Sequence, residues 1–271
     1  MSVDEHMIAL GQTPVFYRRA SLSGVPPLYL HGIPTSADDW TGFLERTGGI
    51  APDLPGFGRT GKGGNLDYSL EGHADFLERF LAELDVQEVK MVLHDWGAGG
   101  GLVFAQRHPE RVTRLVLVNA LPLLEGFHWH RLARVLRRPL VGELVMGSTT
   151  RRLLTRTLRR GCVKPQAFSQ EALATVWDQF DQGTQRATLR LHRSADEQRL
   201  AAAGTGLSSV RAPALVVWGE NDPWFHPSYS EAYAARLPQA ELQRTPGAGH
   251  WPWLDVPTVV DRVAAFLKAT G

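Results

Sequence analysis

Three residues could do chemistry together: Asp95, Asp222 and His250. Asp95 stands in Val92-Leu93-His94-Asp95-Trp96-Gly97-Ala98-Gly99-Gly100, where an apolar run gives way to a glycine-opened helix. That is the context of a strained strand-to-helix turn with a nucleophile at its tip. The free N–H groups and positive dipole end of the helix keep a carboxylate ionised, which is its nucleophilic form. Taken alone, an Asp here serves equally well as the cap of a helix beginning near Ala98. Asp222 lies in Trp218-Gly219-Glu220-Asn221-Asp222-Pro223, a turn after an apolar run, and His250 in Gly247-Ala248-Gly249-His250-Trp251. Singly, the first reads as a turn former and the second as a partly buried, hydrogen-bonded histidine. In the chain order nucleophile, acid, base they make a covalent hydrolase. A carboxylate oxygen displaces a leaving group from a saturated carbon, and the alkyl ester on Asp95 is then cleaved by water that His250 activates. Asp222 holds the imidazole tautomer and stabilises its protonated form.

Such a set has to be carried by a rigid frame, and the sequence supplies one. Short apolar runs at Pro27–Leu30, Glu88–Leu93, Arg114–Val118 and Ala214–Trp218 each end at a Gly, His, Asn or Asp, and predict buried strands. Leu70, Ala74, Leu77, Leu81 and Leu84 share one helical face, as do Val103, Phe104 and Arg107 with their neighbours after the Asp95 turn. Alternating strands and helices predict an α/β fold: a mostly parallel central sheet with helices on both faces. The alternation breaks between Leu121 and Gly206, where leucines recur at helical spacing among arginines. The expectation is a core of residues 1–120 and 207–271 with a helical cap inserted at 121–206.

Composition narrows the function classes. The 271 residues are 43% hydrophobic and carry a formal net charge of +1, which gives no general field for nucleic acid or a membrane. Charge does separate locally. Leu121–Leu200 holds thirteen Arg and one Lys against four Glu and three Asp, a net of +7, and leaves −6 for the remainder. This predicts a basic cap seated on an acidic body, its arginine stems covering apolar surface. The single cysteine, Cys162, and the lack of zinc-ligand spacing predict neither a disulfide nor a metal, and no cofactor is implied. Without a leader-like start or an apolar run of ~18 residues, the expected setting is cytoplasmic, as a monomer or homodimer acting on a small molecule.

The motifs then acquire a relative. His94-Asp95-Trp96-Gly97 resembles the nucleophile turn of the haloalkane dehalogenases and the α/β-hydrolase-fold epoxide hydrolases, both of which use Asp where esterases use Ser. His31-Gly32-Ile33-Pro34-Thr35-Ser36 with Trp40 is similar to their oxyanion turn, and Asp53-Leu54-Pro55-Gly56-Phe57-Gly58 to the loop after the next strand. The likeness covers about Pro27–Val118 and Pro213–Leu267 and is weak in the cap. It implies the α/β-hydrolase fold, whose rule is nucleophile, then Asp or Glu, then His, and an oxyanion hole made by the backbone N–H groups of Ile33 and Trp96. Leu93 departs from the glycine expected two residues before the nucleophile.

The leaving group divides the two families. A departing halide needs apolar walls and a few N–H donors, and the resemblance makes the Trp96 indole one of them. Ile33 stands where one dehalogenase group has a donor Asn, so a cap tryptophan, Trp129 or Trp177, would replace it, although either also fits a plain core role. The Asp222 position agrees with the group that uses a cap Trp. An epoxide leaves as an alkoxide and needs the two cap tyrosines of the epoxide hydrolases. Here Tyr17, Tyr29, Tyr68, Tyr229 and Tyr233 all fall outside the cap, leaving His128 or His130 as possible acids. The arginines that mark fluoroacetate dehalogenases are replaced by Trp96 and Gly99. The preferred reading is a dehalogenase-like hydrolase; an epoxide hydrolase and a non-catalytic ligand-binding protein on the same fold are the alternatives.

Overall fold

A computed structural model describes residues 1–21 and 23–269. The chain opens with the antiparallel pair β1 (Asp4–Leu10) and β2 (Thr13–Ala20), then β3 (Pro27–Leu30), α1 (Thr41–Thr47), β4 (Gly49–Pro52), α2 (Leu70–Glu83), β5 (Val89–Asp95), α3 (Gly97–Arg107) and β6 (Val112–Ala120). Six helices follow before the sheet resumes: α4 (Arg131–Leu136), α5 (Val141–Gly147), α6 (Arg151–Arg160), α7 (Gln170–Gln179), α8 (Gln182–Ser194) and α9 (Glu197–Ala203). The chain ends with β7 (Ala214–Gly219), α10 (Ser228–Arg236), β8 (Ala240–Thr245), α11 (Pro252–Asp255) and α12 (Thr258–Lys268). The eight strands form one sheet in the order β1-β2-β4-β3-β5-β6-β7-β8, parallel from β4 onward. This is the α/β fold that the sequence predicts.

The central strands read as unbroken apolar runs because both of their faces are covered. Side chains alternate across a strand, so Met91 and Leu93 of β5 feed one core while Val92 feeds the other. Leu115 and Leu117 of β6 likewise oppose Val116 and Val118. Helices α2, α3 and α10 close the first core through Leu77, Leu102 and Tyr233, and α1 and α12 close the second through Phe43 and Phe266. Each fully buried Leu or Phe contributes about 1.5–3 kcal/mol. Ser69 caps α2 by accepting from the Gly72 N–H at 3.0 Å, which fixes where that helix starts.

The inserted helices have no core of their own. Ala187 and Leu191 of α8 join the first sheet core, whereas Leu154 and Leu158 of α6 and Leu173 of α7 join the second. The expected seating of the insert's arginines holds only in part. Arg186 and Arg190 of α8 reach the Lys62 and Gly64 carbonyls of the body, but the five arginines of α6 make no ion pair among the described residues. No helix among the described residues is long and apolar enough to cross a membrane.

Candidate active site

The site lies where β3, β5, β6 and β7 end, the edge at which parallel sheets present ligands. Asp95 is the last residue of β5 and has φ +47°, a left-handed backbone that costs a non-glycine residue energy and persists only where the surroundings enforce it. The surroundings here are close-packed. A Cβ on Gly32 would stand 2.5 Å from both Cβ and Oδ2 of Asp95, so only glycine lets the His31–Pro34 turn reach the carboxylate. The departure at Leu93 has a local answer: a Cβ on Gly101 would meet the Leu93 side chain at 2.6 Å, so the helix glycine makes the room that the strand glycine usually makes.

The two carboxylate oxygens of Asp95 have different surroundings. Oδ2 accepts from the Ile33 N–H at 3.0 Å, and the Trp96 backbone N–H also favours the charged form. Oδ1 is 3.7 Å from Nε2 of His250. Burial raises the Asp95 pKa, while nearby His250 and these two N–H groups oppose that rise. On its other side His250 holds Asp222, with Nδ1 to Oδ2 at 2.7 Å. Asp222 is saturated with donors: Asn119 Nδ2 at 2.7 Å on Oδ2, and the Trp224 and Phe225 N–H groups at 2.8 and 3.1 Å on Oδ1. Burial works against protonation of His250, but the Asp222 charge and hydrogen bond, with Asp95, outweigh it and raise its pKa above the ordinary imidazole value.

Several positioning residues carried no readable signal in the sequence. Asn119, at φ +39° near the end of β6, accepts from the Gly219 N–H at 2.9 Å and so joins β6, β7 and Asp222. Its place at a strand end is the one clue that could have found it. Asp255, buried in α11, accepts from the Gly249 N–H at 2.9 Å and from the Val163 and Lys164 N–H groups at 3.0 and 2.8 Å. It therefore ties the His250 loop to the segment after α6. The His250 N–H also donates to the Gly161 carbonyl at 2.6 Å. His94 donates through Nε2 to the His250 carbonyl at 2.9 Å; burial holds His94 well below the usual range, so it is neutral. His31 gains its tautomer from its partners: Nδ1 faces the Gly32 carbonyl, which can only accept, and Nε2 accepts from the Leu54 N–H.

A cavity of about 180 Å³ opens over Asp95. Its floor is Ile33, Pro34, Asp95, Trp96 and His250, and its roof comes from α4, α5, α6 and α8 through residues such as Leu136, Met146, Leu154, Leu158 and Thr188. Trp96 stacks on Trp129, with ring centroids 5.4 Å apart and planes at 16°. Trp129 lines the cavity as an aromatic wall only, since its indole N–H donates to the Ala195 carbonyl at 3.0 Å. This corrects its sequence-derived role as an N–H donor.

Trp177 and His128 are corrected more fully, because neither lines the cavity. Trp177 sits behind Phe180, at a centroid distance of 6.4 Å, and it is Phe180 that reaches the cavity. His128 turns outward to Glu197 at 2.9 Å, while Trp129 and His130 turn in. The Nδ1 of His130 accepts from the Ala133 N–H at 3.3 Å, which leaves any ring proton on Nε2. Burial, aided by His250, lowers His130 to about 4, so the ring is neutral at pH 7. The sequence reading also missed Trp224 and His192. Trp224 stands edge-on to the His250 ring at 4.6 Å, and its indole N–H has no partner among the described residues. His192 donates through Nδ1 to the Thr188 carbonyl at 2.9 Å and packs against Trp96. No tyrosine lines this cavity, and no cluster of three or more His, Cys, Asp or Glu among the described residues is placed to hold a metal.

Known proteins resemble this chain in the same terms. A family model for the alpha/beta hydrolase fold matches residues 28–257. A haloalkane dehalogenase of Mycobacterium marinum is 32% identical over 222 residues, which cover 74% of this chain and 69% of that one. A haloalkane dehalogenase of Mesorhizobium japonicum is 37% identical over 138 residues, and that alignment spans less than half of the relative, 44%, and 47% of this chain. In three dimensions the haloalkane dehalogenase DbeA of Bradyrhizobium elkani superposes with a TM-score of 0.86 at 26% identity, covering 98% of each chain. A relative matched over most of both chains, with the fold matched from end to end, is enough to place this one: it belongs to the α/β hydrolases, in their haloalkane dehalogenase-like branch.

Proposed function

We propose that this hydrolase removes halide from small haloalkanes through a covalent ester on Asp95, with residues 121–206 acting as a cap over a core of 1–120 and 207–271. The observation that carries this reading is the asymmetry of the Asp95 carboxylate: Oδ2 accepts from the Ile33 N–H, while Oδ1 lies 3.7 Å from Nε2 of His250, at the floor of a largely apolar cavity. In the first step Oδ1 bonds to the halogen-bearing carbon as the carbon–halogen bond breaks, and the halide leaves with the bonding pair. In the second step His250 takes a proton from water. The hydroxide attacks the ester carbonyl carbon, and the Ile33 and Trp96 N–H groups stabilise the resulting oxyanion. Collapse expels an alkoxide, which takes the proton back from His250 and departs as alcohol. The carboxyl left on Asp95 loses its own proton, so each turnover yields one alcohol, one halide and one proton.

The leaving halide requires donors, and elimination among the cavity residues identifies them. Ile33 offers no side-chain donor, the Trp129 N–H is committed to Ala195, and Trp177 is out of reach. The Trp251 indole N–H is turned toward the Asp39 carboxylate, so there remain the indole N–H groups of Trp96 and Trp224 and the Nε2–H of neutral His130. An epoxide would need a proton on its departing oxygen. With no tyrosine in the cavity and His130 held near 4, the roof offers no ready acid at neutral pH, and the remaining imidazole, His250, is the base of the second step. That favours the halide.

Two variants test the covalent step. Asp95→Asn should fold normally and lose initial halide release by on the order of 10⁴-fold or more, with slow recovery if the amide hydrolyses. His250→Gln incubated with a haloalkane substrate should gain the mass of its alkyl group on the peptide bearing Asp95. Full initial activity in fresh Asp95→Asn, or no adduct in His250→Gln, would overturn the mechanism.

A further inference from the structure

The outer surface of α4–α6 carries charge and apolar groups that the reaction does not use. Along α6, Arg151, Arg152, Arg156, Arg159 and Arg160 occupy one continuous arc, while Leu153, Leu154, Thr157 and Leu158 face the cavity. None of the five guanidiniums has an ion pair or a side-chain hydrogen bond among the described residues. Nothing nearby in the sequence could neutralise them: from Phe127 to Gln170 there are nine Arg and one Lys against a single carboxylate, Glu143. Arg193 already holds that carboxylate at 2.7 Å. On and beside α5, Leu140 and Leu144 stand 83% and 74% exposed, far beyond what the fold requires of leucine. Leu132 and Leu153, 39% and 48% exposed, also line the active-site cavity, so they mark its mouth on this same side of the molecule.

We propose that this face docks on an anionic lipid surface, with the cavity mouth opening at the interface. The alternatives use only part of what is displayed. A nucleic-acid strand would engage the arginines but leave Leu140 and Leu144 in water. A second copy pairing through the same face would set five unpaired guanidiniums against five more. An anionic bilayer uses both features, because lipid phosphates meet the arginines while the leucines enter the boundary between headgroups and acyl chains. Docking of this kind is peripheral and needs no spanning helix. It sets aside the sequence-based expectation that no membrane is involved. It also gives the mouth a purpose, since sparingly soluble haloalkanes concentrate in lipid and would enter past Leu132 and Leu153. That last step rests on the dehalogenase reading; the docking does not.

The test is co-sedimentation of the whole protein with vesicles of phosphatidylcholine alone or of equimolar phosphatidylcholine and phosphatidylglycerol. Binding should appear only with the anionic vesicles and should weaken as salt rises. The double variant Arg152→Glu/Arg156→Glu should lose about tenfold or more in vesicle affinity. Leu140→Ser/Leu144→Ser should lose affinity even at low salt, and both variants should keep wild-type turnover of a water-soluble substrate. Each of the following would overturn the proposal: no binding to anionic vesicles, vesicle binding that the arginine variant leaves unchanged, or binding to duplex DNA as tight as to vesicles and indifferent to the leucine variant. Dimerisation lost in the leucine variant without any vesicle binding would assign the face to a second copy and also overturn it.

Discussion

The floor and the roof of the cavity are held by different physics. The floor is polar and over-determined: Asp222 accepts from four donors, Asp255 from three, and each ring nitrogen of His31 has a single consistent role. The roof is α4, α5, α6 and α8 packed through leucine, methionine and threonine, with few polar contacts across the cavity. A buried hydrogen-bond network permits one arrangement, because a displaced donor is left unsatisfied at a cost of about 1–3 kcal/mol. Apolar packing tolerates substitution with smaller penalties. The comparison teaches that the candidate catalytic groups are fixed by the sheet edge, whereas the shape of the space above them is set by the roof.

Breaking the floor should have the largest effects. Asp222→Asn should lower the turnover rate by on the order of 10³–10⁴-fold, measured as halide release. It should also move the pH profile in a defined direction. On the proposed mechanism, hydrolysis of the ester requires neutral His250, so wild-type activity should fall as pH drops through a His250 pKa that lies above the ordinary imidazole value. Removing the Asp222 charge takes away the main influence opposing burial, so the acid limb should shift to lower pH even as the plateau drops. An acid limb that stays in place or moves up would contradict this assignment.

The junction between floor and roof comes next. Asp255→Asn keeps the shape but loses the charge and one acceptor facing three N–H groups, one of them buried, and should cost about 1–3 kcal/mol in urea unfolding. Activity should fall as well, because the Gly249–His250 loop loses its tie to the segment after α6. A variant with wild-type stability would show that water replaces this tie without loss.

Within the cavity the effects should be smaller. Trp96→Phe and Trp224→Phe each keep an aromatic wall and remove one N–H, so each should weaken product inhibition by bromide by about 3–10-fold. Bromide inhibition unchanged in Trp224→Phe would leave His130 as the second donor. Smallest of all, Trp177→Phe and His128→Ala should change halide release and bromide inhibition by less than about twofold, as neither side chain reaches the cavity.

Much of the floor was legible because it is written in short contiguous motifs. The Asp95 turn, the His31–Pro34 turn, the Asp222 turn and the His250 loop each follow an apolar run, and glycines mark where backbones must approach closely. The parallel strands announced themselves as runs because both faces are buried. The β1–β2 hairpin did not, since β1 is an edge strand exposed on both sides and its short apolar stretch, Met7–Leu10, lacks alternation. In the inserted helices the leucine spacing gave the type of structure but not its aim. Whether Trp129 or Trp177 faced the cavity depended on how the segment before α4 and the end of α7 pack, and neither leaves a local trace.

The sequence by itself therefore determined the α/β frame, the identity of Asp95, Asp222 and His250, and their order, since each is specified by neighbours a few residues away. The tertiary structure alone decided what faces them. Asn119 and Asp222 are 103 residues apart in the chain, Asp255 binds Val163 across 92, and the Ile33 N–H meets Asp95 across 62. Contacts of that span are set by how helices and strands pack, which depends on volumes and buried partners summed over the whole core, so no local window of sequence contains them.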